Sequence, residues 1–205
     1  FIDRANEDHS FPVESTPTFE DNSQFELNTT NPCGEQWLME YEACNLGHIN
    51  LSTLVDEDAP DWRDFSDAMV DTDSSRTVEG LVDSYLEQAI DWDMMDHRIE
   101  MGTRFLDNVI TMSDFPVEEI EQTVSNNRKI GLGIMGLAQM FIQMGIRYGS
   151  EEANEVTRQV MRYINQRSKD VSHRLTNERG SFDNWEHSKY ANPTEYPEWF
   201  ERQTG

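Results

Sequence analysis

The stretch NPCGEQWLMEYEACNLGHIN, residues 31–50, carries both cysteines of the chain, Cys33 and Cys44. Cys33 sits between Pro32 and Gly34, with Asn31 and Glu35 each two residues away. Proline fixes its own φ, and glycine reaches conformations closed to other residues. The pattern predicts a tight loop that presents Asn31, Cys33 and Glu35 to one small volume. An amide, a thiol and a carboxylate together offer hydrogen-bond partners, a redox-active sulfur and a base. The residues alone leave plainer readings open. A single cysteine is often a small buried hydrophobe, but Pro, Gly, Asn and Glu suit a loop better than a core. A Cys33–Cys44 disulfide is one alternative, although no secretory segment accompanies it. A zinc site from Cys33, Cys44 and His48 is another, but it lacks C-x-x-C pairs and a fourth ligand.

The rest of the chain narrows the classes. It has 40 Asp and Glu against 16 Lys and Arg, for a net charge of −24. Lysine occurs only as Lys129, Lys169 and Lys189. Nothing here would neutralise a run of phosphates, so direct nucleic-acid binding is disfavoured. No apolar run is long enough to span a membrane. The acidity reads as a solvated surface, and more sharply as a protein of a salt-rich cytoplasm, where screening relieves self-repulsion. Two cysteines in a chain of 205 residues fit a reducing compartment. A start at Phe1 and a stop at Gly205 read as a piece of a larger polypeptide.

Taken in order, residues 1–30 are polar and broken by Pro12 and Pro17, with Phe1 and Ile2 closing an element begun upstream. Phe25, Leu27 and Thr29 alternate with polar neighbours and predict a short strand. Ala43, Cys44, Leu46, Ile49, Leu51 and Leu54 predict a second, with Gly47 inside it. The run 56–79 is rich in Asp and Ser and reads as exposed and at most partly helical, the main part of an acidic insertion over 56–88. Met95, Ile99, Gly102, Leu106 and Val109 recur at helical steps and predict one helix from about Leu86 to Ile110. Met94, Met95, Met101 and Met112 read as core filler. Pro116 opens a short helix carrying Glu118 and Glu119. Gly131, Gly133 and Gly136 fit G-x-G-x-x-G, but NNRKI precedes them instead of an apolar strand, and Glu151 and Glu152 open a helix instead of closing a strand. A dinucleotide fingerprint is therefore the weaker reading. Ser150 is a plausible N-cap for a helix with Val156, Val160, Ile164, Val171 and Leu175 on one face, broken by Arg167 and ended by Gly180. Trp185, Tyr190, Tyr196, Trp199 and Phe200 follow in a Pro-containing tail whose packing the pattern leaves open. His9, His97, His173 and His187 have no metal spacing and read as ordinary.

NPCGE followed by YEACNLGHINLS resembles the catalytic loop and following strand of the ribonucleotide reductase large subunit, in the form of the adenosylcobalamin-dependent class. RFLDNVI (104–110), NNRKIGLGIMG (126–136) and the helix opening at Ser150 continue the resemblance in the family's order. It implies an α/β fold: residues 1–205 as part of a ten-stranded α/β barrel, with the Cys33 loop inside and the glycines of 131–136 packing chain on chain. It implies Cys33 as a transient thiyl radical that abstracts the substrate's 3′ hydrogen. Glu35 would be the base for the 3′-hydroxyl, and Asn31 a substrate ligand, with Pro32 and Gly34 completing the substrate-binding loop. Cys44 would be one half of the reducing dithiol, its partner upstream of Phe1, and a phosphate-binding loop would lie beyond Gly205. The cofactor implied is adenosylcobalamin, with a separate di-iron radical subunit as the alternative. The partners implied are a ribonucleotide, a dithiol reductant of thioredoxin type, the remainder of the reductase polypeptide and a possible homodimer, all in the cytoplasm. Two other classes stay open at this point: a nicotinamide-dependent oxidoreductase built on Gly131–Gly136, and a non-catalytic acidic scaffold.

Overall fold

The computed structural model describes residues 2–14, 21–72 and 75–204. The expectations placed on Phe1, Pro17 and residues 73 and 74 of the acidic run lie outside the described residues. The elements run α1 (Ile2–Asp8), β1 (Leu27–Thr30), β2 (Trp37–Met39), β3 (Asn45–Asn50), α2 (Trp62–Thr72), α3 (Val78–Ala89), α4 (Trp92–Met112), α5 (Glu118–Asn127), β4 (Ile130–Met135), α6 (Leu137–Met144), α7 (Glu151–Arg179) and α8 (Pro197–Thr204), with short 3₁₀ turns between some of them. The class is mixed α/β, as expected. The strands form two pairs, β1 with β2 and β3 with β4. No closed barrel exists among the described residues, because two separate pairs leave strand edges that only further strands could join. By backbone contacts the chain divides into two compact units.

The first unit holds Phe1–Leu46, Phe105–Gly131 and Arg174–Gly205. Its centre is the β1–β2 hairpin. Leu27 pairs with Met39 and Thr29 with Leu38, so Asn28 is an extra residue that bulges β1. Leu27 and Met39 join Phe11 and Phe25 in a buried cluster, with Ala5, Trp37 and Phe182 against it. The Phe11 and Phe25 rings stack 4.5 Å apart. Asn6 of α1 then acts as a one-residue strand. Its Nδ2 donates to the Leu27 carbonyl at 3.2 Å, and its Oδ1 accepts from the Leu27 amide at 2.7 Å. The aromatic tail folds back on this unit. The last carbonyls of a helix need outside donors. Here Lys189 Nζ donates to Glu7 O at 2.8 Å and Trp199 Nε1 to Asp8 O at 2.7 Å. Tyr190 lies edge-on to Trp199 at 4.8 Å.

The second unit holds Gly47–Arg104 and Leu132–His173. The described part of 56–79 is mostly exposed and partly helical, as expected, with α2 inside it and Trp62 buried; beyond it on α3, Leu81, Val82, Tyr85 and Leu86 are core residues. Acidic residues fill the outward faces of these short helices and mask an apolar stripe of ordinary spacing. Tyr85 is fully buried, with Trp62 edge-on at 5.2 Å, and its hydroxyl donates to the Pro60 carbonyl at 2.8 Å. Burial takes this phenol up to about 12. The single helix expected from Leu86 to Ile110 is two. Ile90 is extended and bridges Val55, the Asp91 amide donates to Leu54 O at 2.9 Å, and the Asp91 carboxylate accepts from the Met94 amide at 2.8 Å. The break is a tertiary contact followed by a new N-cap.

Of the four methionines expected in the core, only Met95 is buried; Met94, Met101 and Met112 are exposed. They share a stripe with Phe105 on the side of α4 away from Met95, Ile99 and Leu106, which is the geometry of 3.6 residues per turn. The glycine motif is also resolved. Gly131 and Gly133 lie within β4 and not in a loop after a strand, which removes the nicotinamide reading. A Cβ on Gly131 would come within 2.3 Å of Leu46, and one on Gly133 within 2.9 Å of the His48 ring. These glycines let β4 lie close on β3. Ser150 caps α7 as expected, its Oγ accepting from the Ala153 amide at 3.2 Å, and Gly180 follows the helix at φ +86°.

Gly145 ends α6 at φ +70°, and a Cβ there would meet the Asp61 carboxylate at 2.2 Å. Gly149, at φ +80°, faces open space. Gly149→Ala should lose about 1 kcal/mol from the left-handed backbone alone. Gly145→Ala should lose clearly more, read as a lower denaturation midpoint. Equal losses would mean that Asp61 gives way freely.

Candidate functional site

The loop at the tip of the hairpin is built by Asn31. Its amide N–H donates to Gln36 O at 3.1 Å, and its carbonyl accepts from the Gly34 amide at 3.0 Å. Its side-chain Oδ1 accepts from the Gln36 amide at 3.1 Å, while Nδ2 donates to Glu35. Gly34 turns the chain at φ +79°. Asn31 therefore spans the loop and orients the Glu35 carboxylate. Pro32, Cys33, Gly34 and Glu35 are all exposed. The expected gathering of amide and acid is present. The expected enclosure of the thiol is not, since the described residues place no strands around it.

Cys44 is half-buried on the approach to β3, and both thiols are free. Neither the disulfide nor the zinc alternative is present: among the described residues no cluster of His, Cys, Asp and Glu could hold a metal ion. Burial pushes the Cys44 thiol up, Glu35 and Glu42 add to the rise, and Lys129 opposes it.

Sequence reasoning missed Glu42. Its side chain is completely buried. One oxygen accepts from the Met39 amide at 3.0 Å and from Lys129 Nζ at 2.6 Å; the other accepts from Asn127 Nδ2 at 3.1 Å. Lys129 also donates to Trp37 O at 3.3 Å. The rarity of lysine was the available signal, because Lys129 and Lys189 both serve as internal donors.

A cleft of about 520 Å³ opens beside the loop, lined by Arg4, Asp8, His9, Glu35, Trp37 and Lys129 among others. The His9 Nε2 is buried without a partner. Burial, then Lys189 and Lys129, lowers this imidazole to about 4, so it is neutral near pH 7. An exposed thiol, an oriented carboxylate and a second, less acidic thiol can together support redox chemistry with proton transfer.

A family profile described as "Ribonucleotide reductase, barrel domain" matches residues 1–205. The chain belongs to the ribonucleotide reductase family. It is 40% identical over 165 residues to a vitamin B12-dependent ribonucleoside-diphosphate reductase of Thermoplasma acidophilum, covering 80% of this chain and 18% of that protein. It is 35% identical over 165 residues to the protein of the same name in Mycobacterium tuberculosis, covering 80% of this chain and 20% of that one. A ribonucleoside-diphosphate reductase subunit alpha of Helicobacter pylori matches at 38% over 93 residues, 45% of this chain and 12% of that protein. The chain thus spans about a fifth of the length of these two vitamin B12-dependent reductases.

His9 gives a pH signature. Folded His9 stays neutral to about pH 4, whereas an unfolded histidine protonates near 6.5. The unfolded chain binds the extra proton between these values, so stability falls as pH drops from about 6.5 to 4 and is level above. Relative to His9→Gln, the parent should lose about 3 kcal/mol more between pH 7 and 4 in denaturant titrations. Parallel curves would show that His9 takes up its proton in the fold as readily as in the unfolded chain.

Proposed function

We propose that this chain is the catalytic segment of a ribonucleotide reductase, replacing the ribose 2′-hydroxyl of a ribonucleotide by hydrogen. The observation that carries the reading is the exposed Cys33 at a hairpin tip whose neighbouring Asn31 and Glu35 are hydrogen-bonded to each other. The named relatives supply the substrate class, ribonucleoside diphosphates. Residues 1–205 would be part of the ten-stranded barrel domain, with β3 and β4 as staves, the Cys33 loop inside and 56–88 as an acidic insertion.

The 2′ carbon–oxygen bond resists plain acid–base attack, and a radical at C3′ activates it. Cys33, as a thiyl, takes the 3′ hydrogen; an S–H bond is weak enough to form the thiyl and strong enough for a nearly balanced abstraction. Glu35 accepts the 3′-hydroxyl proton, and Asn31 holds Glu35 and the substrate hydroxyls. Cys44 and a second thiol give two electrons and two protons; the 2′-oxygen leaves as water, and a disulfide forms. A thioredoxin-type dithiol then restores the thiols. Adenosylcobalamin, when bound, supplies a carbon radical able to take hydrogen from a thiol. The uncovered Cys33 sulfur fits that group, and Pro32, Cys33 and Gly34 are the residues it would meet. The described residues offer no cradle for the corrin itself. A separate di-iron subunit is the other radical source in the family, and the vitamin B12-dependent names of the relatives favour the first.

The partners proposed are the ribonucleotide, the dithiol, the rest of the reductase polypeptide and a second copy in a homodimer. A cytoplasmic setting of high salt fits a net charge of −24. No helix among the described residues is long and apolar enough to cross a membrane.

In the full-length reductase, Cys33→Ser should abolish dNDP formation. Glu35→Gln should slow it by about 10²–10⁴-fold, the usual worth of a general base. Cys44→Ser should stop turnover driven by a dithiol. Retained activity in Cys33→Ser would favour the scaffold reading and end this one.

A further inference from the structure

We propose that Lys129, fixed by Glu42, is a positioning residue for Cys44: it holds the turn from which that cysteine leaves the hairpin and brings a positive charge to that turn. The inference deepens the reading above and rests on Cys44 as a reducing thiol.

The geometry is specific. The chain reverses after β2 through a turn closed by the Glu42 amide on Met39 O at 3.3 Å. The Glu42 side chain returns the bond, accepting from the Met39 amide. Tyr41 in this turn adopts φ +58°, and Arg128 on the facing segment adopts φ +49°. Left-handed residues that are not glycine are costly and persist only where neighbours over-determine them. Here Arg128 ends α5 and is anchored by Asp107, its Nε donating to the carboxylate at 2.9 Å. That kink puts Asn127 and Lys129, on either side of it, onto the same carboxylate. Two strained segments are thus joined through one buried ion pair, two residues from Cys44.

The charges that act on Cys44 are Glu35 from the loop, Glu42 from the turn and Lys129 from the start of β4. Two carboxylates and burial disfavour a thiolate, and the one ammonium opposes them. Thiol–disulfide exchange proceeds through the thiolate, so the ammonium keeps Cys44 reactive in an otherwise hostile setting. A merely structural pair would hold the turn equally well with no effect on the sulfur.

The two roles separate in the pH profile of Cys44 alkylation. The reduced full-length enzyme carrying Cys33→Ser is treated with iodoacetamide, and the Cys44 peptide is quantified by mass spectrometry. Lys129→Met should move the profile to higher pH and slow alkylation near pH 8 by about threefold to tenfold, while Lys129→Arg keeps the parent profile. Glu42→Gln should shift it the opposite way, and the double variant should return toward the parent. Loss of fold would instead speed alkylation in Lys129→Met, because the sulfur loses both burial and carboxylates. A Lys129→Met profile that overlies the parent, or alkylation that speeds up, overturns the proposal. The readout is thiol chemistry alone, so it stands apart from the turnover of Cys44→Ser, which tests the reductant role itself.

Discussion

A buried carboxylate is tolerable only when its charge and its lone pairs are met, and Glu42 is the place where the first unit meets that demand. The side chain is sealed from water and takes three donors: a backbone amide, a lysine ammonium and an asparagine amide. Asn127 extends the network, its Oδ1 accepting from Asn184 Nδ2 at 2.8 Å. Hairpin end, entry to β4 and C-terminal tail are thereby tied to one acid. Removing one partner of such a pair commonly costs about 3–5 kcal/mol, since the other is left charged and unpaired. An apolar replacement could be as stable, but it would not fix direction. Three donors arriving from different segments admit one arrangement, and the hairpin that carries Cys33 inherits it.

Local pattern showed some of this and hid the rest for identifiable reasons. The strand expected through Phe25, Leu27 and Thr29 exists as β1 from Leu27 on, while Phe25 ends a 3₁₀ turn and a bulge at Asn28 breaks the alternation. Ser150 and Gly180 revealed the limits of α7, because caps are short-range properties. The tight loop that joins Asn31 to Glu35 was legible for the same reason. The break between α3 and α4 was not: apolar spacing runs on through Ile90, and what stops the helix is a bridge to Val55, 35 positions earlier. Acidic composition marked 56–79 as exposed and partly helical, but Asp and Ser on outer faces say nothing about Trp62 inside. Glu42 was invisible among so many acids, as its partners lie 85 and 87 positions away.

The surplus of acid is managed by few cations. Asp107, its side chain only 14% exposed, takes both Arg128 and Arg179. Asp96 accepts from the Tyr163 hydroxyl at 2.6 Å and from Arg167 at 3.0 Å, which accounts for the arginine in the apolar face of α7. These shared acids are partly buried and structural. The pair of Arg158 with Glu79 is exposed at both ends and contributes little. Most of the negative charge has no such partner, and its mutual repulsion falls as ionic strength shortens the Debye length. The same screening acts less on the Glu42–Lys129 pair, whose carboxylate is sealed from water. High salt would therefore relax the surface while leaving the hairpin fixed.

That division bears on the thiol. An exposed cysteine on a loose loop would be a poor place for a reactive sulfur, because every turnover would have to find the geometry again. In this chain the order of the loop does not come from enclosure. It comes from Asn31, whose backbone and side chain close the turn on both sides of Pro32–Gly34, and from a hairpin clamped at its far end by Glu42. Asn31 holds Glu35 before any substrate arrives. The local sequence thus sets direction and spacing, while dryness and a radical source are properties that surrounding structure can add. Such a loop can be carried into a larger enzyme as a finished part.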